Sequence, residues 1–130
     1  MSMSEATEFI PDAGACLTTK SVLDGTGRVR WMVRDESTGP ADNGWRIFSD
    51  IDTEDDLADA SNFQIADYND LCAIEPTLIG IWDFAVGSDL QIVDEGDGIR
   101  IFDTPSGREI PPENFYVPPR MRAAQGSEDD

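Results

Sequence analysis

Residues 44–56 read Gly44-Trp45-Arg46-Ile47-Phe48-Ser49-Asp50-Ile51-Asp52-Thr53-Glu54-Asp55-Asp56. A strand ends inside this stretch and an acidic segment begins. Side chains alternate across a strand, so Trp45, Ile47 and Ser49 fall on one face and Arg46, Phe48 and Asp50 on the other. Large apolar groups stand on both faces, which predicts an inner strand covered on both sides. Thr53 is a good helix N-cap. Glu54, Asp55 and Asp56 then occupy the first helical turn, where the helix dipole favours anions. A short helix is expected to end near Ala60, closed by Ser61-Asn62.

The charge changes abruptly at the same place. Arg46 is the last basic residue before Arg100, and the fourteen acids between them supply −14 of the formal net charge of −18. This excess argues against direct binding of nucleic acid or of an anionic membrane surface, since both need Lys and Arg. It suits a basic protein partner drawn in by long-range attraction. Solubility alone is the competing explanation of the charge.

Upstream, residues 28–35 alternate, with Val29, Trp31 and Val33 on one face and Arg28, Arg30, Met32 and Arg34 on the other. This predicts a half-buried strand, paired in a hairpin with a first strand over 15–23 through the turn Asp24-Gly25-Thr26-Gly27. The arginine face is read as solvated or paired with nearby acids rather than as an anion site. Residues 36–44 form a loop, with turn signals at Gly39-Pro40 and Asn43-Gly44. Residues 1–13 read as a flexible arm.

Downstream, Phe63-Gln64-Ile65 is a short extended piece. Asp67 caps a helix with Leu71, Ile74, Leu78 and Ile81 at helical spacing. Pro76 inside that pattern breaks the helix or opens a second one as its first residue. Residues 89–94 and 99–103 alternate around Glu95-Gly96-Asp97-Gly98, a hairpin. Five prolines (Pro105, Pro111, Pro112, Pro118 and Pro119) make 105–130 an extended, acidic tail, disordered over 123–130.

At 130 residues and 39% apolar, the chain forms one domain with one core. The expected class is α+β: a mainly antiparallel sheet packed against two or three short helices, over residues 14–104. Trp31, Trp45, Ile47, Leu71, Ile74, Leu78 and Trp82 are expected in or near the core.

Catalytic signals are weak. The chain has no histidine, which removes the commonest general base and the commonest zinc ligand. Ser49 therefore has no triad partner, and it lies outside a Gly-x-Ser-x-Gly turn. A calcium loop starting at Asp50 would have Asp55 where glycine is needed and Ser61 where the bidentate glutamate is needed. The crowded acids give no sign of the cleft that a carboxylate pair needs for glycoside chemistry. The two Gly-x-Gly pairs sit in turns that open no helix. No enzyme activity, cofactor or metal is expected. Cys16 and Cys72 lack metal-ligand spacing and read as buried, reduced thiols. With no signal peptide and no membrane span visible, the expected location is cytoplasmic.

The segments Trp31-Met32-Val33-Arg34-Asp35-Glu36 and Gly44-Trp45-Arg46-Ile47-Phe48-Ser49 with its following acids resemble the Imm33 family of predicted bacterial immunity proteins. Cys16-Leu17, Asn62-Phe63, Tyr68 and Pro76-Thr77-Leu78-Ile79 continue the pattern, and Val86-Gly87-Ser88 closes it. The likeness runs from about residue 13 to 90. Asp50 departs from it, standing where the family usually has glycine. The resemblance implies an α+β fold and an inhibitory, partner-binding role. The leading reading is a cognate toxin as partner, with the acids around residues 50–59 meeting a basic active-site cleft. The expected contact residues are the acids Asp50, Asp52, Glu54, Asp55, Asp56 and Asp59, with Trp45 or Phe63 as exposed anchors. Of the acids, Asp55 and Asp56 partly serve the helix start, whereas Asp50, Asp52 and Asp59 have less structural duty. The other reading is an intracellular binding or regulatory module with no toxin. Oligomeric state stays open.

Overall fold

A computed structural model describes residues 9–96 and 98–119. The chain runs β1 (Ala15–Thr19), α1 (Lys20–Leu23), β2 (Val29–Arg34), β3 (Asp42–Ser49), α2 (Glu54–Ala58), β4 (Phe63–Asp67), α3 (Tyr68–Ile74), β5 (Asp89–Asp94) and β6 (Ile99–Asp103). Short 3-10 segments lie at Ala60–Asn62, Pro76–Ile81 and Pro112–Asn114. The strands form one sheet in the order β4-β1-β3-β2-β5-β6. Only β1 and β3 pair in parallel; the other neighbours are antiparallel. The fold is α+β, as the sequence predicts.

Local rules account for most element ends. The Thr53 side chain accepts from the Asp56 N–H, and the Asp56 carboxylate accepts from the Thr53 N–H, a complete capping box. Asp67 caps α3 by accepting from the Asn69 N–H at 2.8 Å. Glu75 caps the next turn and Pro76 opens it, so the proline starts a new element. The β5–β6 hairpin pairs Asp94 with Ile99 and Leu90 with Asp103.

The hairpin expected between the first two strands does not form. β1 ends at Thr19, and the chain turns through α1, which buries Val22. It then crosses β3: a Cβ at Gly27 would lie 2.5 Å from Ser49 Oγ, so this turn passes against the end of β3. β2 consequently pairs with β3 and β5. Its alternation also differs from the expected one. The register shifts between Val29 and Trp31, and this bulge changes the strand's phase. Val29 and Met32 therefore both face the core, while Trp31 and Val33 share the other face.

Among the described residues, α2 borders one face of the sheet at its β4–β1 end, and α3 with the Pro76–Ile81 turn covers the other. There Met32, Trp45, Ile47, Leu90 and Ile101 pack with Tyr68, Leu71, Leu78 and Ile81. Trp82 is partly buried against this cluster. Two residues expected in the core lie elsewhere. Ile74 is 49% exposed, because the chain breaks from helical geometry at Glu75 and the apolar stripe resumes in the 3-10 turn with Leu78. Trp31 sits on the uncovered face, half-buried. β3 is an inner strand, but coverage of both its sides is corrected: Arg46 and Phe48 face away from α3.

The arginines in and beside β2 have separate roles. Arg28 pairs with Asp94 at the surface, 3.5 Å apart. Arg34 points into the structure and donates to the carbonyls of Asn43, Trp82 and Phe84 at 2.9, 3.2 and 2.6 Å. It thereby satisfies carbonyls at the end of the 3-10 turn, where a short helix leaves acceptors unpaired.

The expected flexible arm, residues 1–13, lies outside the described residues up to residue 8, and its described end is packed. Ile10 is fully buried, and the Asn69 side chain bonds both the N–H and the carbonyl of Ile10. The tail expected from 105 is likewise docked in part. The Ile110 N–H donates to Ile101 O and the Tyr116 N–H to Gly80 O, both at 2.8 Å, and the Tyr116 ring lies 5.0 Å from that of Trp82. The disorder expected over 123–130 falls outside the described residues.

Cys16 on β1 and Cys72 on α3 are free and buried. Burial pushes each thiol up to about 12, so both are protonated at neutral pH. Ellman titration at pH 8 is expected to show slow, partial reaction of the native protein and release of two thiols per chain on unfolding. Immediate reaction of either thiol in the native state contradicts this placement.

Candidate functional site

The acidic segment divides into acids that build the fold and acids that are free. Asp52 belongs to the first group. Its carboxylate accepts from Thr19 Oγ1 at 2.6 Å, Ser21 Oγ at 2.9 Å and the Ser49 N–H at 2.7 Å. Ser21 and Ser49 share a further hydrogen bond of 2.7 Å. This polar network ties the β1–α1 junction to the end of β3 and the start of α2. Partial burial alone would raise the Asp52 carboxyl; the hydrogen bonds from Thr19, Ser49 and Ser21 outweigh it and hold the group below its ordinary value.

Asp50 and Asp59 also have local duties. Asp50 Oδ1 accepts from the Arg28 N–H at 3.0 Å, closing the β2–β3 end. Asp59 accepts from the Ser61 N–H and hydroxyl at 3.0 and 2.7 Å, which lowers its pKa and caps the following turn. The expectation that Asp50, Asp52 and Asp59 carry little structural duty is therefore corrected. Asx-type bonding is legible from Asp-x-Ser spacing (Asp59, Ser61). The Asp52 network is not, since it joins residues more than 25 positions apart. Glu54 and Asp55 remain: both are exposed, and neither has a hydrogen bond or ion pair among the described residues.

Trp45 and Phe63 separate in the same way. Trp45 is fully buried and its Nε1–H donates to Trp82 O at 3.1 Å. It cannot touch a partner from there, which corrects its place among the anchors. Phe63 is half-buried on the uncovered face, with its ring edge-on to Phe48 at 5.7 Å.

That uncovered face is the surface the sequence reading missed. Register places Leu17 beside Ile65 and Arg46, Val33 beside Arg46, and Trp31 beside Phe48 and Gln91. None of its apolar residues belongs to the core cluster or packs against it. Ile65, on the edge strand β4, is 73% exposed. It stands between two shallow grooves that share Leu17. One runs toward loop 38–41, holds about 330 Å³, and has Asp42 and Arg46 in its wall. The other runs toward Leu57 of α2, Ala60 and Phe63.

Charges on this face are largely internal. Arg46 binds Asp42 through two nitrogens at 2.9 and 3.0 Å, which holds the Asp42 carboxyl far below the usual range. Arg30 lies 5.0 Å over the Trp31 ring and donates to Gln91 Oε1 at 2.9 Å. The signal for this face lay in the alternation of Phe63 with Ile65 and of Arg46 with Phe48. Which of two sheet faces the helices cover is not encoded in alternation.

Among the described residues, no group of three acidic or thiol side chains is placed to hold a metal ion. No helix among them is long and apolar enough to cross a membrane. No curated protein and no solved structure matches the chain. A family match does exist, and it spans residues 16–102, well over half of the chain, taking in the β5–β6 hairpin beyond the stretch of the sequence resemblance. That family is the one described as the immunity protein Imm33 domain, and the chain belongs to it.

Proposed function

We propose that the protein binds and neutralises a cognate bacterial toxin, presenting its acidic segment to basic residues around the toxin's active site. Family membership supports an immunity role. The observation that carries the electrostatic part is the pair Glu54 and Asp55, exposed with unpartnered side chains on α2, the helix whose Leu57 and Ala58 line a groove with Phe63 and Ile65. Asp50, Asp56 and Asp59 add negative charge held in place by their backbone contacts. An acidic rim next to an apolar centre is the usual anatomy of a protein interface. On this reading inhibition is steric and electrostatic, with no catalysis, metal or cofactor of the protein's own. A cytosolic setting fits its two free thiols.

The test replaces Glu54 and Asp55 by Gln and Asn. Stability is expected to fall by only ~0.3–1 kcal/mol per site, the helix-dipole share. Association with the cognate toxin is expected to slow about 3–10-fold at low salt, with a flatter salt dependence. Stopped-flow rates at two ionic strengths read both. An unchanged rate and slope would mean the acidic segment is only a solvated surface.

A further inference from the structure

We propose that the toxin docks on the uncovered face of the sheet at its β4–β1 end, seating apolar side chains in the grooves on either side of Ile65. This rests on the immunity reading above and names the part of the surface that carries the binding energy. Sheet faces left to solvent are normally polar. Here Leu17, Phe63, Ile65, Phe48 and Trp31 share one face across four adjacent strands, outside the core cluster. At the usual strand spacing those four strands span about 14 Å, which α2 extends toward the footprint of a standard interface.

Charge decides which occupant fits. A second copy of this chain would bring a net −18 against −18, with two sets of unpartnered α2 acids at the margin. A partner with an apolar centre and cations at the margin meets both features at once. Arg46 is already engaged by Asp42 and, at 3.5 Å, by Asp35, so the groove it lines offers no unpaired cation and suits an apolar or aromatic side chain. Affinity then comes from the apolar centre, and the α2 acids set mainly the association rate.

The experiment measures the dissociation constant for the cognate toxin domain with two variants of equal charge change. Ile65→Asp alters the proposed centre. Ile74→Asp alters another exposed apolar site, 49% exposed against 73% at Ile65, on the helix over the opposite face. Binding is expected to weaken at least about tenfold for Ile65→Asp and less than about twofold for Ile74→Asp. On the wild-type protein, amide exchange in the complex should slow at residues 15–19 and 63–67. Equal effects of the two variants, with no protection of those strands, would overturn the docking face while leaving toxin binding intact. Absence of wild-type binding would overturn the immunity reading and this inference with it. A dimer of the free protein that Ile65→Asp dissociates would assign the face to a second copy and overturn the proposal.

Discussion

Trp45→Ala is expected to lower stability by about 3–5 kcal/mol, the range for truncating a large buried aromatic. Trp45 is the largest fully buried side chain and lies on β3, between β1 and β2. Its removal leaves a void among Ile47, Tyr68 and the 3-10 turn, and it strips Trp82 O of one donor. The Arg34 guanidinium, 5.7 Å over the indole, also loses its ring partner. Stability of the whole domain is on the order of 5–15 kcal/mol, so the loss is a large share of it. Urea denaturation followed by circular dichroism should show a lower midpoint with a slope close to wild type. Any loss of toxin binding by this variant then follows from unfolding. A variant of full stability with lost binding would return Trp45 to the interface.

Asp52→Ala should be the most damaging change in the acidic segment, at about 2–3 kcal/mol. Its carboxylate serves three donors, and Thr19 and Ser49 are 1% and 0% exposed. A buried donor left unpaired costs about 1–3 kcal/mol, partly relieved here by the Ser21–Ser49 bond. Asp52→Asn keeps one acceptor oxygen and should cost less. Glu54→Gln, on an unpartnered side chain, should cost no more than ~1 kcal/mol.

The same network predicts a pH dependence. Asp52 is held below its ordinary value in the folded protein, while the unfolded chain titrates near ~3.9. Between those two values the unfolded state binds more protons, so stability rises with pH there. The contribution is complete above about pH 4–5 and fades as pH falls through the folded value. The gap in urea midpoint between wild type and Asp52→Ala should therefore be smaller at pH 3.5 than at pH 7. A constant gap across that range would show that the carboxylate's charge plays no part in the network.

The motif that carries the family resemblance proves to be structural residue by residue. Gly44 has a φ of +90°, and a Cβ there would overlap the Asp35 carbonyl, so the turn into β3 needs glycine. Trp45 fills the core, Arg46 clamps Asp42, and Ser49 joins the Asp52 network. The family signature thus builds the β3 strand and its ends. The surface proposed for a partner, Glu54, Asp55, Phe63 and Ile65, lies downstream of it on α2 and β4.

Features bound by contacts within a few residues were readable from the sequence itself. The Thr53–Asp56 box, the Asp67 cap, the restart at Pro76 and the β5–β6 hairpin each depend on groups two to five positions apart. A side chain that close meets its backbone partner almost whatever the rest of the chain does. The α+β class followed from the same local patterns. Only the tertiary structure decided the strand order, the parallel pairing of β1 with β3, and the bulge that turns Trp31 outward. It alone put Ile65 outside, and drew Asp52 onto Thr19 and Ser21, 33 and 31 positions away. Alternation gives a strand two faces of equal standing; which one is buried depends on where α3 and the Pro76–Ile81 turn come to rest.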